Sequence, residues 1–280
     1  MEPQAAVIVN VGSAHLEGFG SRQGIAEAKG EIYDGLVAGG SAIINLDDDF
    51  AAYWQERCAG KKQLGISIKG PADVWASDIR PGSRLAYEFT LHVGAEQTAV
   101  RLQLLGRHCV GNAVAAAALA HAVGVPIEKI RAGLENTRPV SGRMILHVLG
   151  EQRFVIDDTY NANPESMKAA IDVLAEMGGR RILVTGDMGE LGAAAEAGHR
   201  DVGEYAKMKK IDALYTLGNF SAFTAKGYGE GARVSSSQQA LIEALGKELE
   251  GVVAILVKGS RSAKMENVVQ GLTGKHGEQH

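Results

Sequence analysis

The chain has 280 residues, with 29 basic against 33 acidic side chains and a formal charge of -4, a balance that excludes the basic footprint of a nucleic-acid binder and suits one large domain or two modest ones. The longest apolar stretch, AVAAAALAHAV from Ala113 to Val123, is too short to span a bilayer, and the opening MEPQAA lacks the basic flank of a secretion signal. Two cysteines, Cys58 and Cys109, without C-x-x-C spacing, argue against a disulfide framework and point to a reducing compartment, the cytoplasm.

Met1 leads within a few residues into AAVIVNVG, which reads as a buried strand, so the chain is expected to begin inside a larger domain. Strands are predicted at Ala5 to Val11, Ser41 to Asn45, Gln63 to Ile68, Leu85 to Val93, Thr98 to Leu104, Met144 to Leu149, Phe154 to Asp157, Arg181 to Thr185, Ala213 to Leu217 and Val252 to Val257. Helical periodicity covers Arg22 to Val37, Asp48 to Cys58, Gly111 to Val123, Ile127 to Asn136, Pro164 to Met177, Ala195 to Lys207, Ser237 to Lys247 and Ala263 to Leu272. Short apolar runs alternating with helices predict an α/β fold with mostly parallel sheets. Leu85 to Val93 and Thr98 to Leu104, joined by GAEQ, alternate apolar with polar and predict an antiparallel edge hairpin. NTRPVSG, 136–142, punctuates the chain, giving units of 1–138 and 139–280, the second a Rossmann-like doubly wound fold.

Five segments carry candidate chemistry. In NVGSAHLEGFGSRQGIAEAKGEI, His15 follows a strand end and Lys29 lies in the next helix; a carboxyl strand end is where open α/β sheets place ligands, and an ordinary loop histidine with a solvated lysine is the competing reading. In GRHCVGNAVAAAAL, Asn112 near a helix start has the amide donors and carbonyl to read a purine edge, or merely helps initiate the helix. ILVTGDMGELG places Gly186, Gly189 and Gly192 after a strand without the G-x-G-x-x-G dinucleotide spacing. In ILVKGSRSAKME, Lys258, Ser260 and Arg261 leave another strand end and suit a carboxylate or phosphate, or form a solvated basic turn. Finally, DDTYNANPES begins at Asp157, where Asn163 before Pro164 fits a helix N-cap and Asp158 could accept bonds from ribose hydroxyls. The run Asp47 to Asp49 reads as helix capping.

Together these motifs resemble the Mur ligases, and most closely the branch that adds D-alanyl-D-alanine. The likeness runs from about Val9 to Val269 and rests on NVGSAHLEGFGS with AKGEI, GRH with Asn112 and Ala113, SGR at 141–143, DDTYNANPES, GDMGELG and VKGSRSAKME, in the family's order. It identifies residues 1–138 as the later part of a central ATPase domain and 139–280 as the C-terminal domain. It implies an ATP-dependent ligation in peptidoglycan precursor synthesis: the γ-phosphate passes to the terminal carboxylate of UDP-MurNAc-tripeptide, and the amine of D-Ala-D-Ala attacks the acyl phosphate. The resemblance assigns His15 and Lys29, the lysine carbamylated, to magnesium, which takes oxygen ligands. It assigns Asn112 with His108 to adenine, Arg143 to the phosphates, and Asp158 to ribose. It sets Asn161, Asn163, Lys258, Ser260 and Arg261 toward the dipeptide or the acyl chain. His15, Lys29 and Arg143 would form the catalytic set, in a monomer.

Two departures stand out. Cys109 takes the place of the family's usual asparagine, and no G-x-x-x-x-G-K-[ST] phosphate loop occurs in the 280 residues. The expectation is therefore a ligase fragment inactive on its own, or else a shortened non-catalytic paralogue that binds nucleotide or a cell-wall precursor. A folylpolyglutamate synthase-like ligase shares the architecture but is disfavoured by YNANP and KGSR. Asp158→Ala is expected to leave folding near wild type.

Overall fold

The computed structural model describes residues 2–12, 16–82 and 86–274. The described chain divides into two compact units, the first running to Arg138 and the second starting at Pro139.

The first unit is built on a sheet in the order β1 (Ala5–Ile8), β2 (Ser41–Asn45), β3 (Lys62–Ser67), β4 (Val74–Pro81), β5 (Ala86–Val93) and β6 (Glu96–Leu105). Neighbours from β1 to β4 run parallel, whereas β4, β5 and β6 are antiparallel. The expected edge hairpin is β5–β6; Val93 pairs with Glu96 across the two-residue turn Gly94-Ala95, so the Glu and Gln of GAEQ belong to the strand. Gly94 takes φ 57 there, a left-handed conformation that glycine adopts without strain.

The helices of this unit are α2 (Arg22–Asp34), α3 (Ala51–Arg57), α4 (His108–Ala122) and α5 (Ile127–Asn136); the single turn α1 (Leu16–Phe19) precedes α2 in the chain. Ser21 caps α2 through Gly24 N–H. Alanine-rich α4 is apolar on nearly every side, and its small side chains let Val110, Val114, Ala117 and Ala118 pack closely over Ile43, Ile66 and Leu91. The buried Tyr33 hydroxyl donates to Ile43 O at 2.7 Å and accepts from Ile8 N–H at 3.2 Å, stapling β2 to β1.

The second unit holds a sheet in the order β11 (Ala232–Val234), β10 (Ala213–Thr216), β9 (Arg180–Thr185), β12 (Val253–Lys258), β8 (Arg153–Asp158) and β7 (Ile145–Val148). All pairs are parallel except β7–β8. The crossovers are α6 (Pro164–Ala175), α7 (Ala195–Met208), α8 (Ser221–Tyr228) and α9 (Gln238–Gly246), with α10 (Glu266–Thr273) after β12. Leu241 and Leu245 of α9 and Val268 of α10 bury one sheet face, formed by Val155, Val184 and Ile255; α6 lies against β9 and β12. This is an α/β protein with two mixed sheets, the second doubly wound.

Several elements depart from the expectations. Strands β4 and β11 and helices α1 and α8 were not anticipated. Helix α4 begins at His108 rather than Gly111, which puts Asn112 in its second turn, where it cannot initiate the helix. Phe50 is the N-cap of α3, and Asp48 Oδ1 accepts from Phe50 N–H at 2.9 Å just ahead of the helix. The aspartates also reach further: Asp48 Oδ2 accepts from Val11 N–H at 2.9 Å, and Asp47 from Ile68 N–H and the Ser67 hydroxyl, both at 2.7 Å, tying together the exits of β1 and β3.

Candidate functional site

Strands β8, β12 and β9 are neighbours in the second sheet, so their carboxyl ends emerge side by side although the chain visits them far apart. Their last residues are in register: Lys258 pairs with Asp158 on one side and with Thr185 on the other, and Thr185 pairs with Thr216 of β10. Registered partners share a sheet face, so a buried polar row crosses the carboxyl edge, its members between 1% and 9% exposed. The Lys258 ammonium donates to Asp158 Oδ2 at 2.6 Å and to Asn161 O at 2.8 Å, while Asp158 Oδ1 accepts from Met144 N–H at 3.2 Å. A charge withdrawn from water is tolerable only when paired and hydrogen-bonded in this way. Within the row, the Thr185 hydroxyl has no hydrogen-bond partner among the described residues.

Beyond this row the three exit loops surround a cleft of about 360 Å³, lined by Tyr160, Asn161 and Asn163 from β8, Glu190 from β9, and Ser260 and Arg261 from β12. Close packing of the loops depends on glycine at two points. A Cβ on Gly186 would lie 2.8 Å from Ala263 Cβ, and one on Gly259 would lie 2.7 Å from Met265 Cγ. Gly186 N–H donates to Lys258 O and Ser260 N–H donates to Asp187 O, each at 2.8 Å, joining the β9 and β12 loops through backbone.

Asn163 is the N-cap of α6. Its side chain accepts from Ser166 N–H at 2.8 Å and Ser166 Oγ accepts from Asn163 N–H at 3.0 Å, a reciprocal capping box with Pro164 at the first helical position. Asn161 is exposed and its side-chain Oδ1 accepts from Ala162 N–H. Ser260 is 4% exposed, its hydroxyl 3.1 Å from that of Ser262. Arg261 stands in solvent beside Glu266 at 3.3 Å. Arg143 is exposed and stacks its guanidinium 4.2 Å from the Tyr160 ring centroid. The turn below it is fixed by Tyr160 N–H donating to Gly142 O at 2.9 Å; Gly142 has φ 69, and a Cβ there would meet Tyr160 N at 3.0 Å.

In the first unit, the exposed Lys29 donates to Asn10 O at 2.9 Å, beside the exit of β1. His15 lies outside the described residues. Asn112 and His108 are exposed on the first two turns of α4. Cys109 faces inward, its thiol donating to Leu105 O at 3.2 Å in the core. Among the described residues no group of three or more His, Cys, Asp or Glu could hold a metal ion. An ammonium engaged as a donor offers no lone pair, so the described donor set does not form the oxygen cage that magnesium requires.

The second unit therefore gathers Asp158, Asn161, Asn163, Lys258, Ser260 and Arg261 at one sheet edge, with Arg143 stacked on Tyr160 nearby. Glu190, in a left-handed conformation at φ 61, and His199, buried behind the β9 loop, escaped the sequence reading. A non-glycine residue forced into left-handed backbone has no composition signal, and a histidine inside an amphipathic helix reads as core.

Two α/β units, the first with an antiparallel edge and the second with a polar row across the carboxyl ends of its parallel strands, match the two domains of one family, and the chain belongs to the Mur ligase family. Residues 1–120 match the Mur ligase middle domain and residues 142–261 the Mur ligase, glutamate ligase domain. The chain is 45% identical over 273 residues to the UDP-N-acetylmuramoyl-tripeptide--D-alanyl-D-alanine ligase of Escherichia coli K12, covering 96% of this chain and 60% of that one. Identity to the Haemophilus influenzae enzyme of the same name is 39%, covering 98% and 60%. A crystal structure of MurF from Acinetobacter baumannii superposes with a TM-score of 0.90 at 35% identity, covering 98% of this chain and 60% of that chain. The chain thus spans about 60% of the length of the relatives it matches.

Proposed function

We propose that the chain carries the C-terminal unit and part of the ATPase unit of a ligase that joins D-Ala-D-Ala to UDP-MurNAc-tripeptide, at the expense of ATP, in peptidoglycan precursor synthesis. The observation that carries this reading is the meeting of TYNAN, GDMGEL and GSRS on one cleft in a chain 45% identical to a ligase of that name. Transfer of the γ-phosphoryl group to a carboxylate, then attack of an amine on the acyl phosphate, needs positioning and charge neutralisation more than a protein nucleophile. Ser260, Arg261 and Asn161 offer hydroxyl, guanidinium and amide donors suited to the dipeptide and its carboxylate.

Arg143, exposed and stacked on Tyr160, has no ion pair among the described residues and so offers its guanidinium edge to phosphate. Asn112, with His108, would read adenine. Asp158 would reach ribose through the lone pairs left over by Met144 N–H and Lys258. Lys258 spends its charge inside the protein, so its part is to hold the loops rather than to touch substrate. Magnesium belongs to this reading only through the resemblance at His15 and Lys29. Without a G-x-x-x-x-G-K-[ST] loop in the 280 residues, these residues by themselves do not turn over. The protein acts in the cytoplasm as a monomer.

The test is an in-frame fusion to the phosphate-loop segment of the Escherichia coli relative, supplied with ATP, magnesium, UDP-MurNAc-tripeptide and D-Ala-D-Ala. Phosphate release should require the dipeptide; release that is the same with and without it overturns the ligase reading. A silent fusion whose unfused chain still binds ATP or UDP-MurNAc-tripeptide points instead to a non-catalytic binding paralogue.

A further inference from the structure

The imidazole of His199, on the second turn of α7, is 2% exposed and belongs to none of the roles assigned above. Its Nε2 accepts from Met188 N–H at 2.9 Å, and its Nδ1 lies 2.7 Å from Ala195 O. A backbone N–H can only donate and a carbonyl can only accept, so the two contacts together select one species: neutral imidazole, protonated on Nδ1 and bare on Nε2. The ring stacks on Phe220 with centroids 4.9 Å apart.

Met188 sits between two residues that shape the cleft. On one side, Asp187 accepts Ser260 N–H through its carbonyl, while its carboxylate accepts Asn219 N–H at 2.7 Å and Phe220 N–H at 3.0 Å. On the other side, Gly189 and Glu190 line the cleft wall. The hydrogen bond to His199 therefore anchors the midpoint of the loop that locks to the β12 exit on one side and walls the cleft on the other. We infer that His199 is a positioning residue, whose neutral Nδ1–H form holds the GDMGEL loop in the register that shapes the cleft for its ligand.

The ionisable groups around the ring bear on the protonation this requires. Among the described residues, Asp187 Oδ1 is 3.9 Å from Nε2 and favours the charged ring. The turn that leads into α8 presents the uncharged Phe220. The charged contacts of α6 fall further along α7, where Lys168 meets Asp201 and Asp172 meets Tyr205. Burial outweighs Asp187 and holds the ring below its ordinary titration range.

Three measurements on the chain test this. In the wild type, imidazole ¹⁵N shifts should report Nδ1 protonated and Nε2 bare at pH 7.5; an Nε2–H tautomer overturns the proposal. Hydrogen exchange at the Met188 amide should be at least tenfold faster in His199→Asn, whose side chain reaches only the Nδ1 position. His199→Gln, whose amide oxygen reaches the Nε2 position, should restore protection. Equal protection in His199→Asn and wild type overturns the proposal, because loss of packing on Phe220 alone would not separate Asn from Gln.

The identity of the ligand rests on the dipeptide reading above. D-Ala-D-Ala titrated calorimetrically should bind about tenfold more weakly to His199→Asn than to His199→Gln. If the exchange pattern holds while the dipeptide binds all three proteins equally or none, the loop-positioning role stands and the dipeptide reading of the cleft fails.

Discussion

Lys258 Nζ and Asp158 Oδ2 meet at 2.6 Å at the carboxyl ends of two adjacent parallel strands, with side chains 4% and 13% exposed. The pair joins the loop after β8 to the loop after β12, and the same ammonium ties down Asn161 O. Removing one member leaves an unpaired charge in a site closed to water, whereas removing both leaves only a packing change. Asp158→Ala is thus expected to cost roughly 3–5 kcal/mol, contrary to the near-neutral outcome expected of a loop carboxylate. Lys258→Met should cost a similar amount, and the double variant Asp158→Leu, Lys258→Met should recover most of the loss. Urea unfolding of the three variants checks this; additive losses would mean that the two residues do not act as a pair.

Asn163 can be separated into its structural and ligand-facing parts. Its side-chain oxygen caps α6, so Asn163→Ala should lower stability by about 1 kcal/mol. Asn163→Asp keeps the accepting oxygen and places a negative charge at a helix N-terminus, where it is favoured. Thermal unfolding should place Asp level with wild type and Ala below it. The same Asp adds an anion to the cleft wall, so D-Ala-D-Ala affinity should fall in the variant whose fold is intact. Affinity that follows stability instead would remove Asn163 from the cleft's ligand contacts.

What the sequence disclosed and what it hid differ by a physical rule. Ser41–Asn45 and Ile127–Asn136 have the predicted limits because each is a local pattern, one a continuous apolar run and the other an amphipathic stretch after Pro126. Strand β4 was missed because Ser77 and Asp78 interrupt its alternation; Asp78 sits at φ 52 where the β4–β5 register shifts, and a bulge erases the period of two. At the site, the capping role of Asn163 was legible because Asn-Pro-x-Ser is a local signal. The partnership of Asp158 with Lys258 spans 100 residues and exists only because the last strand inserts between β8 and β9. Sheet order is a tertiary outcome, so Lys258 read as a substrate-facing cation when its charge is consumed inside.

Acid should weaken the second unit through His199. Desolvation lowers the folded-state pKa of its imidazole below the ordinary value, so the unfolded chain binds the proton more readily than the folded one. The stabilisation from the neutral ring is fully present above about pH 6.5, the unfolded value, and is lost as pH falls through the lower folded value. Urea midpoints of wild type and His199→Gln, compared at pH 7.5, 6.5 and 5.5, should show a steeper acid loss in wild type. Parallel pH curves for the two proteins would show that His199 does not titrate in that interval.

Helices α7 and α8 cross where two glycines face the opposing backbone. A Cβ on Gly203 would fall 2.1 Å from Thr224 O, and one on Gly227 would fall 2.1 Å from Arg200 O. Both obstacles are main-chain carbonyls inside helices, so relief requires the helices to separate rather than a side chain to rotate. Alanine is the better helix former by about 1 kcal/mol, but overpacking a fitted contact costs roughly 1–3 kcal/mol and occasionally more. With contacts this short the steric loss exceeds the propensity gain. Gly203→Ala and Gly227→Ala should each lower the urea midpoint. Gly246→Ala, at the end of α9 with open space around the added methyl, should be neutral or stabilising. A Gly203→Ala variant as stable as wild type would mean that the two helices are not held together at this crossing.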